Sequence, residues 1–355
     1  MICERDDFSL TGPLHLTAID WANEQHRRSV TASLVQGIYV AERDRQLQRD
    51  GPELALSPIW SEFFHFRLIR KLVDDADFSI FGGIYEYKPP QQHPSQELIP
   101  RYVIAFRGTV TKADSISRDI ELDLHIIKNG LHTTTRFEIA IQAVRSIVNS
   151  VGATNVWLAG HSLGASMALL TGKTVARTGV FPECFAFNPP FLSPPIERIK
   201  DKRIKHGIRI AGSVITAGLA LAKKATQQHS QNQNRLALPA PPDPFTALSD
   251  WFPRLYVNPG DHLCSEYLGY FEHRNKMEEL GVGFVERLAT QNSLGGLLVD
   301  IVGGGMNTEG PVHLIPSSVL TVNWSPARDF KEAHGIHQWW REDHRFETKI
   351  YKYNH

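Results

Sequence analysis

The 355-residue chain has few cysteines, no excess of either charge and no apolar run long enough to span a membrane. Its three cysteines, Cys3, Cys184 and Cys264, are odd in number and lack metal-ligand spacing, so neither a disulfide framework nor a metal site is expected. The 38 basic residues balance 38 acidic ones, which argues against nucleic acid as a partner. The longest apolar stretches, 210–222 and 294–306, are shorter than the ~20 residues that a membrane-spanning helix needs.

The N-terminal residues and the cysteines together favour a cytoplasmic location. Residues 1–7 include four charged side chains, which is too many for a secretory signal peptide. A reducing compartment would keep all three thiols free. The composition, 42% hydrophobic and 21% charged, is typical of a globular protein with a sizeable core. We expect no cofactor, and the sequence leaves the oligomeric state open.

The most informative segment is residues 160–164, which read Gly-His-Ser-Leu-Gly and fit the pattern G-x-S-x-G. Before it, residues 155–159 form a short apolar run typical of a buried strand. After it, residues 163–177 carry small and apolar side chains at helical spacing. A strand, a tight turn and a helix form the context in which this motif exposes a nucleophilic serine. The sequence therefore predicts Ser162 as a nucleophile.

Buried-strand patterns alternate with helical patterns along much of the chain. Strands are expected at 78–87, 102–106, 184–187, 251–257 and 318–322. Helices are expected at 133–149, 267–279 and, at the C-terminus, 333–340. This alternation predicts an α/β fold with a mostly parallel sheet and helices on both faces. Together with the G-x-S-x-G turn, it is typical of the α/β-hydrolase fold.

Residues 1–355 are expected to form a single domain, with residues 1–75 as a helical N-terminal segment. Helices are predicted there at 14–23, 28–49 and 58–72.

Between residues 189 and 253 the regular pattern is lost, which indicates an insertion of helix and loop. Two interpretations of its apolar part, 208–223, stay open. It forms a cover over the Ser162 pocket whose basic flanks contact a lipid interface, or it is an ordinary helix packed on the sheet. The glycine-rich stretch 294–305 is predicted as a further loop or flap.

A serine hydroxyl needs a base within hydrogen-bonding distance and an acid that orients the base. In this fold the acid and then the histidine follow the serine along the chain. Asp261 stands in the turn after a predicted strand, so it is the candidate acid, with a helix cap as the alternative. His334, before a glycine in a late loop, is the candidate base. His337 and then His313 are the alternatives.

The tetrahedral intermediate of acyl transfer needs two backbone N–H donors for its oxyanion. One comes from the residue after the nucleophile, which is Leu163. The other comes from a loop after an earlier strand, where 102–106 leads into Arg107-Gly108-Thr109. Gly108 lets the chain turn, so the N–H of Thr109 is the second candidate.

Two motifs together resemble the class 3, or fungal-type, lipase family. Residues 105–109, Ala-Phe-Arg-Gly-Thr, and residues 160–165, Gly-His-Ser-Leu-Gly-Ala, are similar to that family's oxyanion strand and nucleophile elbow. The segment 119–123 resembles the family's aspartate-bearing stretch, and 257–261 and 333–335 resemble a plant branch sometimes labelled GDSL esterase/lipase. The resemblance implies a serine esterase or lipase for an acyl-ester or lipid substrate. It also implies Ser162, Asp261 and His334 as triad and Thr109 and Leu163 as oxyanion donors.

Two other functions are weighed against this one. The first is a catalytically silent α/β-hydrolase fold that binds a small apolar ligand or a protein partner. A serine, an acid and a histidine in the required order favour the enzyme, because a silent relative need not keep all three. The second is metal binding by His334, His337 and His344, whose spacing lacks a supporting ligand set.

Overall fold

An eight-stranded sheet runs through the computed structural model, which describes residues 13, 15–16, 18–49, 51, 54–56, 59–89, 98–109, 130–191, 246–279 and 312–353. The strands lie side by side in chain order. They are β1 (Phe66–Val73), β2 (Ile80–Tyr87), β3 (Tyr102–Phe106), β4 (Val156–His161), β5 (Glu183–Phe187), β6 (Arg254–Val257), β7 (Ser318–Asn323) and β8 (Phe346–Tyr351). Neighbours from β3 to β7 pair in parallel, and β1–β2, β2–β3 and β7–β8 pair antiparallel. The prediction of a mostly parallel sheet is confirmed.

Helices cover both faces of this sheet, as predicted for its central parallel strands. On β3, Val103 and Ala105 pack into the apolar cluster that contains the helix at 24–46, whereas Ile104 and Phe106 face the cluster of the helices at 135–151 and 163–176. The α-helices in the described residues are α1 (Glu24–Gln46), α2 (Ile59–Phe63), α3 (Thr135–Val151), α4 (Leu163–Ala176), α5 (Glu266–Glu279) and α6 (Phe330–His334). The two cores hold the carboxyl ends of β3 to β6 in fixed relation to one another.

The helical N-terminal segment expected over 1–75 is wrong in its last part. The helix predicted at 58–72 ends at Phe63, and β1 (Phe66–Val73) follows it. His65 adopts a φ of 61°, which a right-handed helix cannot accommodate. The next residues then pair antiparallel with β2, beginning with Phe66 opposite Tyr87. Tertiary strand pairing outweighs the helical spacing of the aromatic side chains.

The helix expected at 14–23 is wrong over residues 18–23, which form a bend and a turn. The helix predicted at 28–49 is α1, which begins four residues earlier, at Glu24 after Asn23. The side-chain oxygen of Asn23 accepts a hydrogen bond from the Gln25 N–H, as an N-cap does. A local capping signal therefore sets the helix start.

The C-terminal helix predicted at 333–340 is divided in two. The α6 helix ends at His334, Gly335 is extended with ψ 134°, and a 3₁₀ helix covers Ile336–Trp340. A further strand, β8, pairs with β7 at the edge of the sheet and was not predicted. Four of its six side chains are exposed, so the sequence offers little buried alternation to reveal it.

Three predicted features lie outside the described residues. They are the 208–223 part of the insertion predicted over 189–253, the acidic segment 119–123, and the loop or flap at 294–305. The insertion, its cover over Ser162, and the single domain over 1–355 stay predictions.

Candidate active site

Ser162 lies on a sharp turn between β4 and α4. The strand ends at His161 and the helix begins at Leu163, with Ser162 at φ 57° and ψ −125°. Residues other than glycine rarely adopt positive φ, and backbone strain of this kind clusters at functional sites. The local structure is the strand, turn and helix that the G-x-S-x-G pattern predicts.

Glycines allow the turn to close against the end of β3. A Cβ on Gly160 would collide with the backbone of Gly164, and a Cβ on Gly164 would collide with the carbonyl of Phe106. A Cβ on Gly108 would lie 2.9 Å from the Cβ of Ser162. The segment after β3 and the serine turn therefore pack backbone against backbone, which explains why both motifs need glycine.

His334 lies between Ser162 and Asp261. Its Nδ1 is 2.8 Å from Asp261 Oδ2, and its Nε2 is 3.0 Å from Ser162 Oγ. A carboxylate only accepts hydrogen bonds, so Nδ1 carries a proton and Nε2 faces the serine hydroxyl. The structure thus brings together three side chains that come from α6, the turn after β4 and the turn after β6.

Asp261 is completely buried and held by several donors. Besides His334, its carboxylate accepts from the Leu263 N–H at 3.0 Å, from Asn188 Nδ2 at 2.7 Å and from Cys264 Sγ at 3.2 Å. Burial by itself raises the pKa of Asp261. The charge that His334 carries when it is protonated, together with hydrogen bonds from His334, the Leu263 N–H and Asn188, outweighs burial and lowers this pKa below its usual value. The acid therefore stays ionised inside the protein.

The alternative histidines have other surroundings. His337 is exposed and packs edge-on against Trp340, with ring centroids 5.1 Å apart. His313 is buried, and its ring lies 4.5 Å from that of Phe191. Of these three candidates, His334 is the one whose ring contacts Ser162.

The candidate oxyanion donors flank the serine. Leu163 opens α4, where first-turn N–H groups have no partner within the helix. Thr109 follows Gly108, whose carbonyl accepts a hydrogen bond of 2.6 Å from the buried Arg107 guanidinium. Burial lowers the pKa of Arg107, but the group stays charged and has the carboxylate of Glu42 3.9 Å away.

A tyrosine and a histidine connect the segment after β3 to His334. The Gly108 N–H donates to Tyr39 Oη at 2.7 Å, and Tyr39 Oη lies 2.8 Å from His161 Nδ1. The other ring nitrogen of His161 is 2.7 Å from the carbonyl oxygen of His334, which only accepts. Burial, reinforced by the nearby His334, lowers the pKa of His161 to about 3. His161 is therefore neutral, with its proton on Nε2, and Tyr39 donates to its Nδ1.

Sequence analysis missed Tyr39, His161 and Asn188. His161 stands inside the pentapeptide and Asn188 directly follows a predicted strand, so a polar residue at each place is a usable signal. Tyr39 lies within a helix among apolar neighbours, and nothing local distinguishes it. Only the tertiary packing of α1 on the sheet brings its hydroxyl to Gly108.

Two further findings concern metal binding and membrane insertion in the part of the chain that the structure describes. No group of three or more His, Cys, Asp or Glu side chains there is arranged to hold a metal ion. His344, part of the metal-binding hypothesis, has Nδ1 3.0 Å from Asn323 Nδ2. Within the same part of the chain, no helix is long and apolar enough to cross a membrane.

Comparison with known structures gives only distant matches. A lipase from Rhizopus microsporus var. chinensis has a TM-score of 0.28 at 14% identity, and the match covers 50% of this chain and 63% of that one. An esterase from Pyrobaculum calidifontis has a TM-score of 0.28 at 13% identity, with 78% and 85% covered. At TM-scores this low the superpositions add nothing to the fold assignment.

Comparison with known sequences identifies the family of this chain. Residues 103–194, which carry β3, the serine turn and β5, match the family described as Lipase (class 3). A protein of Arabidopsis thaliana named GDSL esterase/lipase is 82% identical over 357 residues, covering 99% of this chain and 99% of that protein. With the sheet topology and the serine turn, these matches establish that the chain belongs to the class 3 lipase family of α/β-hydrolases, in its plant lipase-like branch, and is a carboxylic ester hydrolase.

Proposed function

We propose that the ester is cleaved through an acyl-enzyme formed on Ser162. His334 Nε2 takes the hydroxyl proton while Oγ attacks the carbonyl carbon of an acyl ester. The tetrahedral intermediate collapses, the C–O bond to the alcohol breaks, and His334 returns the proton to the leaving oxygen. Water then repeats the sequence on the acyl-enzyme, which releases the carboxylic acid and regenerates the serine.

Two hydrogen bonds carry this proposal, 3.0 Å from His334 Nε2 to Ser162 Oγ and 2.8 Å from Nδ1 to Asp261. Both are within the range expected of a nucleophile, its base and an orienting acid. In the proposed mechanism Asp261 fixes the tautomer of His334 and stabilises the imidazolium that forms in each step.

The oxyanion of each tetrahedral intermediate is bound, in this proposal, by the backbone N–H groups of Thr109 and Leu163. Leu163 follows Ser162 in sequence, and Gly108, which precedes Thr109, lies so close to the serine that a Cβ on it would be 2.9 Å from the Ser162 Cβ. A single oxyanion donor is worth about 10²–10³ in kcat in a comparable enzyme. The substrate is an acyl ester, lipid esters included.

The test is Ser162→Ala, assayed on p-nitrophenyl esters from C2 to C16. Loss of the nucleophile should lower kcat by ~10⁶ and abolish labelling by a fluorophosphonate probe. Ser166→Ala is the matched control, because this buried serine lies one turn along α4 and should leave both readouts near wild type. More than a tenth of wild-type activity in a folded Ser162→Ala variant would overturn the proposal.

A further inference from the structure

Asn188 lies beside the candidate acid in a position that is energetically unfavourable for its backbone and its side chain. It follows β5 directly, has a φ of 48° and is completely buried. Positive φ strains residues other than glycine, although asparagine tolerates it better than most, and a buried amide destabilises a protein unless it is hydrogen-bonded. A glycine would satisfy the backbone alone, so the side chain needs its own explanation.

The amide of Asn188 is bound on both sides. Its Oδ1 accepts from Trp339 Nε1 at 2.7 Å, and its Nδ2 lies 2.7 Å from Asp261 Oδ2 and 3.1 Å from the carbonyl of Ala333. The indole nitrogen can only donate, so it fixes Oδ1 on its own side. The NH₂ group must then face Asp261 and the residue before His334.

The backbone around Asn188 extends these connections. Its N–H donates to the carbonyl of Tyr256 at 2.8 Å, and the carbonyl of the preceding Phe187 accepts from the Ser162 N–H at 3.0 Å. Asn188 thus lies where the serine turn, the acid turn and the base-bearing helix meet.

Cys264 is a second donor to the same carboxylate oxygen. Its Sγ lies 3.2 Å from Asp261 Oδ2. Burial, together with the charge of Asp261, raises the pKa of Cys264 well above its usual value, so the thiol keeps its proton. Asp261 Oδ2 therefore accepts from His334, Asn188 and Cys264 at once.

We infer that Asn188 and Cys264 are positioning residues that set how strongly Asp261 binds the protonated form of His334. This inference rests on the proposed triad. Each donor removes electron density from the carboxylate and weakens its hold on the imidazolium. Losing a donor makes Asp261 a stronger acceptor for the imidazolium, so the acid limb of kcat/KM moves to higher pH.

Asn188→Gly tests the first donor, because glycine accepts the positive φ without strain. The expected result is a fall in kcat of about 10- to 100-fold, since misplacing a reacting group by 1 Å can cost 10². The acid limb of kcat/KM should move to higher pH. Activities are normalised to fluorophosphonate-labelled sites, so unfolded protein does not contribute.

Cys264→Ala and Cys264→Ser differ in whether residue 264 can donate a hydrogen bond to Asp261. Together they test the inference even if Asn188→Gly fails to fold. Alanine removes the donor and should raise the half-activity pH. Serine supplies a stronger donor and should lower the half-activity pH below that of the alanine variant.

Ser317→Ala is the structural control. The Ser317 hydroxyl is buried and joins Ser249 to Tyr353 by two hydrogen bonds. Its loss should lower the melting temperature and leave the acid limb unchanged. An acid limb that is the same in wild type and all folded Asn188 and Cys264 variants would overturn the inference. If Ser162→Ala remained active, the proposed triad itself would fail.

Discussion

At the scale of single residues, the Gly108–Thr109 peptide is held from outside the serine turn. Arg107 donates to the Gly108 carbonyl at 2.6 Å and also to the Ile80 carbonyl at 2.6 Å. A peptide unit is planar and trans, so fixing that carbonyl directs the Thr109 N–H the opposite way. Tyr39 holds the N–H of the preceding peptide unit. The direction of the candidate oxyanion donor thus depends on side chains that do not touch the reacting atoms.

Tyr39→Phe should lower kcat by about 10- to 100-fold and change KM little, because the lost hydroxyl orients a group that matters in the transition state. Steady-state kinetics on a short p-nitrophenyl ester measure both constants. Tyr85→Phe is the matched control, since its buried hydroxyl donates to the Leu34 carbonyl at 3.0 Å. It should reduce stability only. Equal kcat in Tyr39→Phe and wild type would contradict this role of Tyr39.

The two neighbouring histidines of the last helices give a sharper comparison. His334→Ala should be nearly as damaging as Ser162→Ala, because members of a triad act as a unit. His337→Ala should be mild, because that side chain is exposed and packs against Trp340. Ester hydrolysis and fluorophosphonate labelling of both variants show which histidine acts as the base. A reversed pair of phenotypes would transfer the role of the base to His337.

At the scale of elements, the contact between α4 and the end of β3 fixes the distance from Ser162 to Thr109. Gly164→Ala should separate the two elements, because the added Cβ meets the backbone carbonyls of Phe106 and Arg107, which cannot move aside as a side chain would. We expect a lower melting temperature together with a loss of kcat. Gly152→Ala is the control: φ is 83° there, but a Cβ meets nothing within 4 Å. It should cost stability, on the order of 1–3 kcal/mol, because φ 83° with ψ 152° is a backbone region that glycine alone adopts readily, and it should spare kcat.

At the scale of the whole molecule, two buried neutral histidines should make stability depend on pH. Burial, with smaller contributions from His334 and Lys173 respectively, lowers the pKa of His161 and of His313 to about 3. Between that value and the ordinary pKa of ~6.5, the unfolded chain binds two protons that the folded chain does not. Folding stability is therefore lost as the pH falls through this window.

The two histidines together should contribute about 2.7 kcal/mol per pH unit to the slope between pH 4.5 and 5.5, twice the ~1.36 kcal/mol of one proton. Urea unfolding at several pH values measures the slope. His313→Phe should lower it by about 1.36 kcal/mol per pH unit, because one of the two groups no longer titrates. His337→Ala should change it far less, because that side chain is exposed. A slope that is the same in His313→Phe and wild type would contradict the prediction.

Local sequence patterns were enough to predict the serine turn and the elements around it. The strand at 102–106, the strand before Ser162 and the helix after it agree with their predicted positions to within two residues. Their signals are local, because an apolar run, two glycines and a helical repeat all act within 25 residues of chain. The position of Asp261 in a turn after a strand is local as well.

The identity of the base, the strand β1 and the position of Tyr39 depend on tertiary structure. From the sequence, three histidines near the C-terminus were candidates for the base. Only tertiary packing brings the ring of His334 to Ser162 and Asp261, which are 172 and 73 residues away along the chain. Likewise, β1 became a strand because β2 supplies hydrogen bonds that its own helical spacing cannot predict. Tyr39 reaches His161 across 122 residues because α1 packs on the sheet. Contacts between distant segments stabilise the protein only once the chain has folded, so no local pattern in the sequence predicts them.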